Sequence, residues 1–164
     1  MAIIKDIKAR EIIDSRGNPT VECDVIFSDN SFGRAAAPSG ASTGKHEAIE
    51  LRDNDLKRHR GLGVQSALKN ILNIVKPKVL NKEFFYFEDF DNEIIKIDGT
   101  NNKSKLGANS TLSLSLAFIK ALSAQSEKNL YEFLSHDRNC VLPVPMMNII
   151  NGGLHADNNV DIQE

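Results

Sequence analysis

Residues 20–27 read "TVECDVIF", and their alternation decides the class of fold. Val21, Cys23, Val25 and Phe27 fall on one side of an extended chain, and Thr20, Glu22 and Asp24 on the other. A period of two with one polar side marks an antiparallel strand covered on one face only. Turn-forming residues flank it, "SRGNP" at 15–19 before and "SDNS" at 28–31 after, the latter leading into "FGRAAAP". Residues 3–37 are therefore expected to form a three-stranded β-meander. Cys23, inside the alternation, is expected to be a small buried hydrophobe.

Beyond the meander the period changes to that of a helix. In "VQSALKNILNIV" (64–75), residues Val64, Ala67, Leu68, Ile71, Ile74 and Val75 share one stripe, and Pro77 is predicted to end the helix. "FEDFDNEIIKI" (87–97) repeats the pattern through Phe87, Phe90, Ile94 and Ile97. "NSTLSLSLAFIKALSAQS" (109–126) is longer and more apolar, so it should be the most enclosed helix. The polar stretch "DGTNNKSK" (98–105) separates these two. Strands followed by helices predict an α+β domain. Near "SHDRNCVLPVPMMNII" (135–150) two prolines bracket a short apolar run without helical period, which reads as a linker into a buried strand. The expected division is a first domain over 1–138 and the beginning of a second over 139–164.

A chain of 164 residues holds one domain with a real core, or one domain and a piece of another. Lys and Arg number 20 against 22 Asp and Glu, so no electrostatic case exists for nucleic acid or an anionic membrane as partner. The basic run "LKRHR" (56–60) is balanced by "ELRDND" (50–55) and reads as a solvated helix end. The first residues, "MAIIKDIKAREIID", carry charges too often for a signal peptide, and no apolar window is long enough to cross a bilayer. Cys23 and Cys140 have neither metal-type nor redox-type spacing. The expectation is a reducing cytoplasm.

"PSGASTGKHEA" (38–48) is the first stretch with chemical character. A phosphate-binding P-loop needs four residues between its glycines and Ser or Thr after its lysine. Here three residues separate Gly40 from Gly44, and His46 follows Lys45. Ser42 and Lys45 have the Ser-x-x-Lys spacing of a penicillin-recognising nucleophile, but its companion motifs are absent. What survives is a hydroxyl-bearing loop with two glycines, suited to closing over a ligand. "GLGVQS" (61–66) imitates a dinucleotide fingerprint, yet it follows a charged helix end and has Ser66 in place of the third glycine. "NGGLHADNNVDIQE" (151–164) is stronger. Gly152 and Gly153 permit positive φ and close backbone approach to a ligand, His155 can donate to a phosphate or carboxylate, and Gln163 and Glu164 stand where a strand should open.

"DSRGNPTVE" (14–22), "APSGASTGKHEA" (37–48), "DGTNNKSKLGAN" (98–109) and "PVPMMNIINGGLHADNNVDIQE" (143–164), in this order, closely resemble the enolase family in its bacterial form. The resemblance covers the chain from end to end. It implies an N-terminal α+β domain, a three-stranded meander followed by helices, packed on an atypical β/α barrel. Such a barrel takes about 250 residues, so the chain is expected to stop near the barrel's second strand. The implied activity is phosphopyruvate hydratase, a carbon–oxygen lyase that interconverts 2-phosphoglycerate and phosphoenolpyruvate. A proton is removed beside a carboxylate, and two Mg²⁺ ions offset the charge.

The resemblance also implies roles for individual residues. Ser42 is a ligand of the second Mg²⁺, His155 contacts the phosphoryl end of the substrate, and Gln163 and Glu164 line the substrate pocket. Glu164 additionally assists departure of the hydroxyl. Arg10 and Glu22 correspond to charges that pair with a second subunit in a homodimer. The base, the main acid and the ligands of the tighter Mg²⁺ are implied beyond residue 164, so these residues alone are expected to be inactive. The alternative expectation is a catalytically dead remnant serving as a binding or scaffold domain.

Overall fold

The computed structural model of the protein describes residues 1–40, 44–135, 140–153 and 156–162. Three antiparallel strands run β1 (Ala2–Ile13), β2 (Pro19–Phe27) and β3 (Phe32–Ala36), as the alternation predicts. A fourth strand, β4 (Glu83–Phe84), pairs with the start of β1, giving the order β3-β2-β1-β4. The three-stranded expectation thus gains a short edge strand, too brief to show a period of its own. Val21, Cys23, Val25 and Phe27 are fully buried. The opposite side of β2 is less open than the sequence suggests, because Thr20 and Asp24 are buried as well.

The helices cover one side of this sheet. The stripe predicted from Val64 onward forms α1 (Gln65–Asn70), a π turn (Ile71–Val75) and α2 (Lys76–Val79). Pro77 does not end the helix here. A proline removes a backbone donor and crowds the turn before it, and the wider π turn directly upstream accommodates both effects. The chain leaves the helix only at Leu80, whose ψ of 137° is extended. The helix α3 (Phe87–Asp98) buries Phe90, Ile94 and Ile97. The helix α4 (Ala108–Gln125), at 18 residues, is the longest and buries ten of them, so it is the enclosed helix the sequence anticipates. A short α5 (Leu130–Ser135) follows.

One contact sets how closely α4 lies on the sheet. A Cβ at Gly33 in β3 would collide with backbone atoms of Ala117 and Ala121, so only glycine allows this approach. Above it, Phe27, Phe84, Phe90 and Phe118 form an aromatic cluster, with Phe90 stacked on Phe118 at 4.1 Å between ring centroids.

Residues 140–150 carry no regular structure, against the expected strand. Leu142 and Met146 are more than nine-tenths exposed, and Val141, Val144 and Ile149 more than four-fifths. A strand persists only where a neighbour supplies its ladder of hydrogen bonds, and no described segment pairs with this one. None of the described helices is long and apolar enough to cross a membrane.

Candidate functional site

A cleft of about 1210 Å³ lies between residues 37–40 and 44–52 and the adjoining faces of α3 and α4. Its walls follow from local hydrogen bonding. The segment leaves β3 with its entry fixed: Ala37 donates its N–H to the Val21 carbonyl at 2.9 Å, and the Thr20 hydroxyl donates to the Ala37 carbonyl at 2.5 Å. Arg16 then donates to the Ser39 carbonyl at 2.6 Å. On the far side the chain is fixed again. Ile49 donates to the Asn102 carbonyl at 2.8 Å, and Ala108 donates to the Ile49 carbonyl at 2.7 Å.

Arg52 joins these two ends. Its guanidinium donates to the Pro19 and Leu62 carbonyls, each at 2.6 Å, to the Ser39 hydroxyl oxygen at 3.0 Å and to the Glu50 carboxylate at 2.6 Å. The Ser39 hydroxyl also bonds Glu50, at 3.2 Å. A guanidinium spreads five donors over a rigid planar fork and so reaches acceptors in several fixed directions, whereas a lysine has three donors on one atom. No local pattern signals this role, because Arg52 stands in the charge run "ELRDND", whose charges balance those of "LKRHR". On the opposite wall Asp91 is half-buried, and burial pushes its carboxyl above the usual carboxylate range against a hydrogen bond from Ser115.

Asp98, at the end of α3, organises the polar stretch after it. It is buried and accepts from the Leu106 N–H at 2.7 Å, the Thr100 N–H at 2.9 Å and the Thr100 hydroxyl. Burial alone would raise its pKa, and these donors outweigh it and hold the carboxyl low. The glycine-rich "GLGVQS" serves a helix start. Asp53 accepts from the Gln65 and Ser66 N–H groups, both at 2.8 Å, where α1 begins. Helix starts leave such donors without intrahelical partners.

Of the sequence-predicted site residues, Ser42, His155, Gln163 and Glu164 lie outside the described residues. Their flanks are described. Gly40 and Gly44, on either side of Ser42, both line the cleft. Gly153, two residues before His155, has a φ of 54° and donates its N–H to the Val160 carbonyl at 2.9 Å. A Cβ at Gly152 would strike the Val160 and Ile162 carbonyls. Where close approach to a ligand is expected of these glycines, the structure shows them against the chain's own carbonyls at Val160 and Ile162. This contact draws the flanks of His155 and Gln163 together.

Arg10 and Glu22 face each other across β1 and β2 and form an ion pair. Two neighbours that the sequence reading passed over complete the cluster, since Asp24 receives both Arg10 and Arg34. The hydrogen bond from Arg34, aided by Arg10, lowers the Asp24 carboxyl to about 2. Among the described residues no group of three His, Cys, Asp or Glu side chains is arranged to hold a metal ion.

Two family models match the chain in sequence. One, described as the N-terminal domain of enolase, matches residues 4–134. The other, described as the C-terminal TIM barrel domain of enolase, matches residues 139–164.

Proposed function

Because the chain belongs to the enolase family, we propose that it is the N-terminal part of a cytoplasmic phosphopyruvate hydratase, which dehydrates 2-phosphoglycerate to phosphoenolpyruvate. The observation that carries this reading is the succession of the two matches, with the barrel match beginning five residues after the first ends. The α+β fold of residues 1–135 supports it.

In this reading Ser42 supplies oxygen ligands to a substrate-dependent Mg²⁺, and the anchored ends of the 37–52 segment hold it in reach. His155 donates to the phosphoryl group. Gln163 lines the pocket, and Glu164 assists departure of the hydroxyl. In this reading the carboxylates that hold the tighter Mg²⁺, an ion bound through hard oxygen ligands, belong to the barrel domain of the family. Bound there, Mg²⁺ would neutralise charge at the substrate carboxylate. In this reading Arg10 and Glu22, whose side chains are 34% and 19% exposed, exchange their mutual pair for contacts in a homodimer.

The test is turnover of 2-phosphoglycerate in the presence of Mg²⁺. The 164 residues alone are expected to show none, and a protein continued through a full barrel is expected to show it. An inactive continued protein, or full activity of these residues alone, would overturn the reading. A second reading, a non-catalytic binding or scaffold domain, draws support from the exposed apolar run Val141–Ile150. It is distinguished by a continued protein that folds but does not turn over.

A further inference from the structure

We propose that Arg52 is a positioning residue: it clasps Ser39 to Glu50 and so fixes the described residues next to them, Gly40 and 44–49, along the cleft. The inference deepens the enolase reading, because Ser42 lies between Ser39 and Glu50 in the sequence.

Three observations carry it. Arg52 reaches four acceptors from three separate parts of the chain: Pro19 at the start of β2, Ser39 and Glu50 at the two ends of the segment, and Leu62 before α1. Its side chain is only 15% exposed, and its bonds to Pro19, Ser39 and Glu50 are partly buried while that to Leu62 is open to solvent. Ser39 and Glu50 also bond each other directly, which closes a loop whose ends are otherwise eleven residues apart. Closing a loop removes conformational freedom from everything inside it. The surface-charge reading of "ELRDND" explains none of these contacts.

The test uses Arg52→Met, which keeps the aliphatic stem and removes the fork, and Ser39→Ala, which removes one clasp contact only. Hydrogen exchange on the 164-residue chain reads the clasp directly. In Arg52→Met the Glu47 and Ile49 amides are expected to exchange about tenfold faster while those of Val25 and Leu114 are unchanged. Ser39→Ala should show a smaller change of the same pattern. In a protein continued through the barrel, Arg52→Met is expected to raise KM for 2-phosphoglycerate several-fold with its melting temperature preserved. Unchanged exchange at Glu47 and Ile49 overturns the proposal. So does acceleration spread evenly over the core, or an unchanged KM in an active enzyme. If the unsubstituted continued protein has no activity, the enolase reading fails, and the exchange data still decide the clasp.

Discussion

The side-chain amide of Asn109 binds the backbone of Leu51 as a neighbouring strand would. Its Nδ2 donates to the Leu51 carbonyl at 3.0 Å, and its Oδ1 accepts the Leu51 N–H at 3.2 Å. Asn109 is 3% exposed, so neither backbone group has ready access to water in its place. Asn109→Asp turns the donor into an acceptor facing a carbonyl. It is expected to cost about 2–3 kcal/mol, as buried unsatisfied polar groups do. Urea denaturation of the two proteins measures this, and a loss under 0.5 kcal/mol would show that the pairing is not sheltered.

Gly33 is the second point of no slack. A methyl group there meets the backbone of α4 rather than a movable side chain, so relief requires the whole helix to shift. Gly33→Ala is expected to destabilise by about 3 kcal/mol or more, above the usual cost of overpacking by a methyl. Thermal unfolding followed by circular dichroism tests this. A Gly17→Ala control, where a Cβ meets nothing within 4 Å but φ is +81°, should lose about 1 kcal/mol from backbone strain alone.

The alternation in "TVECDVIF", the stripe of α3 and the long apolar run of α4 were legible because burial selects the residues themselves. What escaped depends on partners distant in sequence. The strand β4 is two residues long, and only its register against Ala2 and Ile3 makes it a strand. Pro77 reads as a stop until the π turn before it is seen. Arg34 and Asp24 are ordinary polar residues of adjacent strands until the register places them side by side. Arg52 is one charge among several in its run, and only the folded chain brings Pro19, Ser39 and Leu62 to it. For the candidate site, the motifs around Ser42 and His155 were readable as local glycine-rich patterns. The clasp at Arg52 was not, since two of its four acceptors are backbone carbonyls, which every residue carries.

Asp24 makes stability depend on acid. Its folded pKa of about 2 lies below the ordinary 3.8, so the unfolded chain binds the proton more readily. The contribution is fully present above about pH 4 and is lost as pH falls through the folded value, by linkage worth on the order of 2 kcal/mol. Asp24→Asn should remove it at neutral pH and flatten the decline between pH 4 and 2. Urea midpoints across that range give the comparison. Identical slopes in the two proteins would mean that other carboxylates dominate the acid transition.

The two cysteines should separate cleanly by reactivity. Cys23 is fully buried beneath α4, its sulfur 3.1 Å from the Ser113 hydroxyl, and burial pushes the thiol up to about 12. Cys140 is exposed. Only the thiolate attacks a disulfide reagent, so at pH 8 a chromogenic disulfide should modify Cys140 rapidly. Cys23 should react only as fast as the domain opens. Two phases of equal amplitude are expected, the slow one accelerating in urea and absent from Cys23→Ala. A single fast phase of two equivalents would show that α4 does not stay closed over β2.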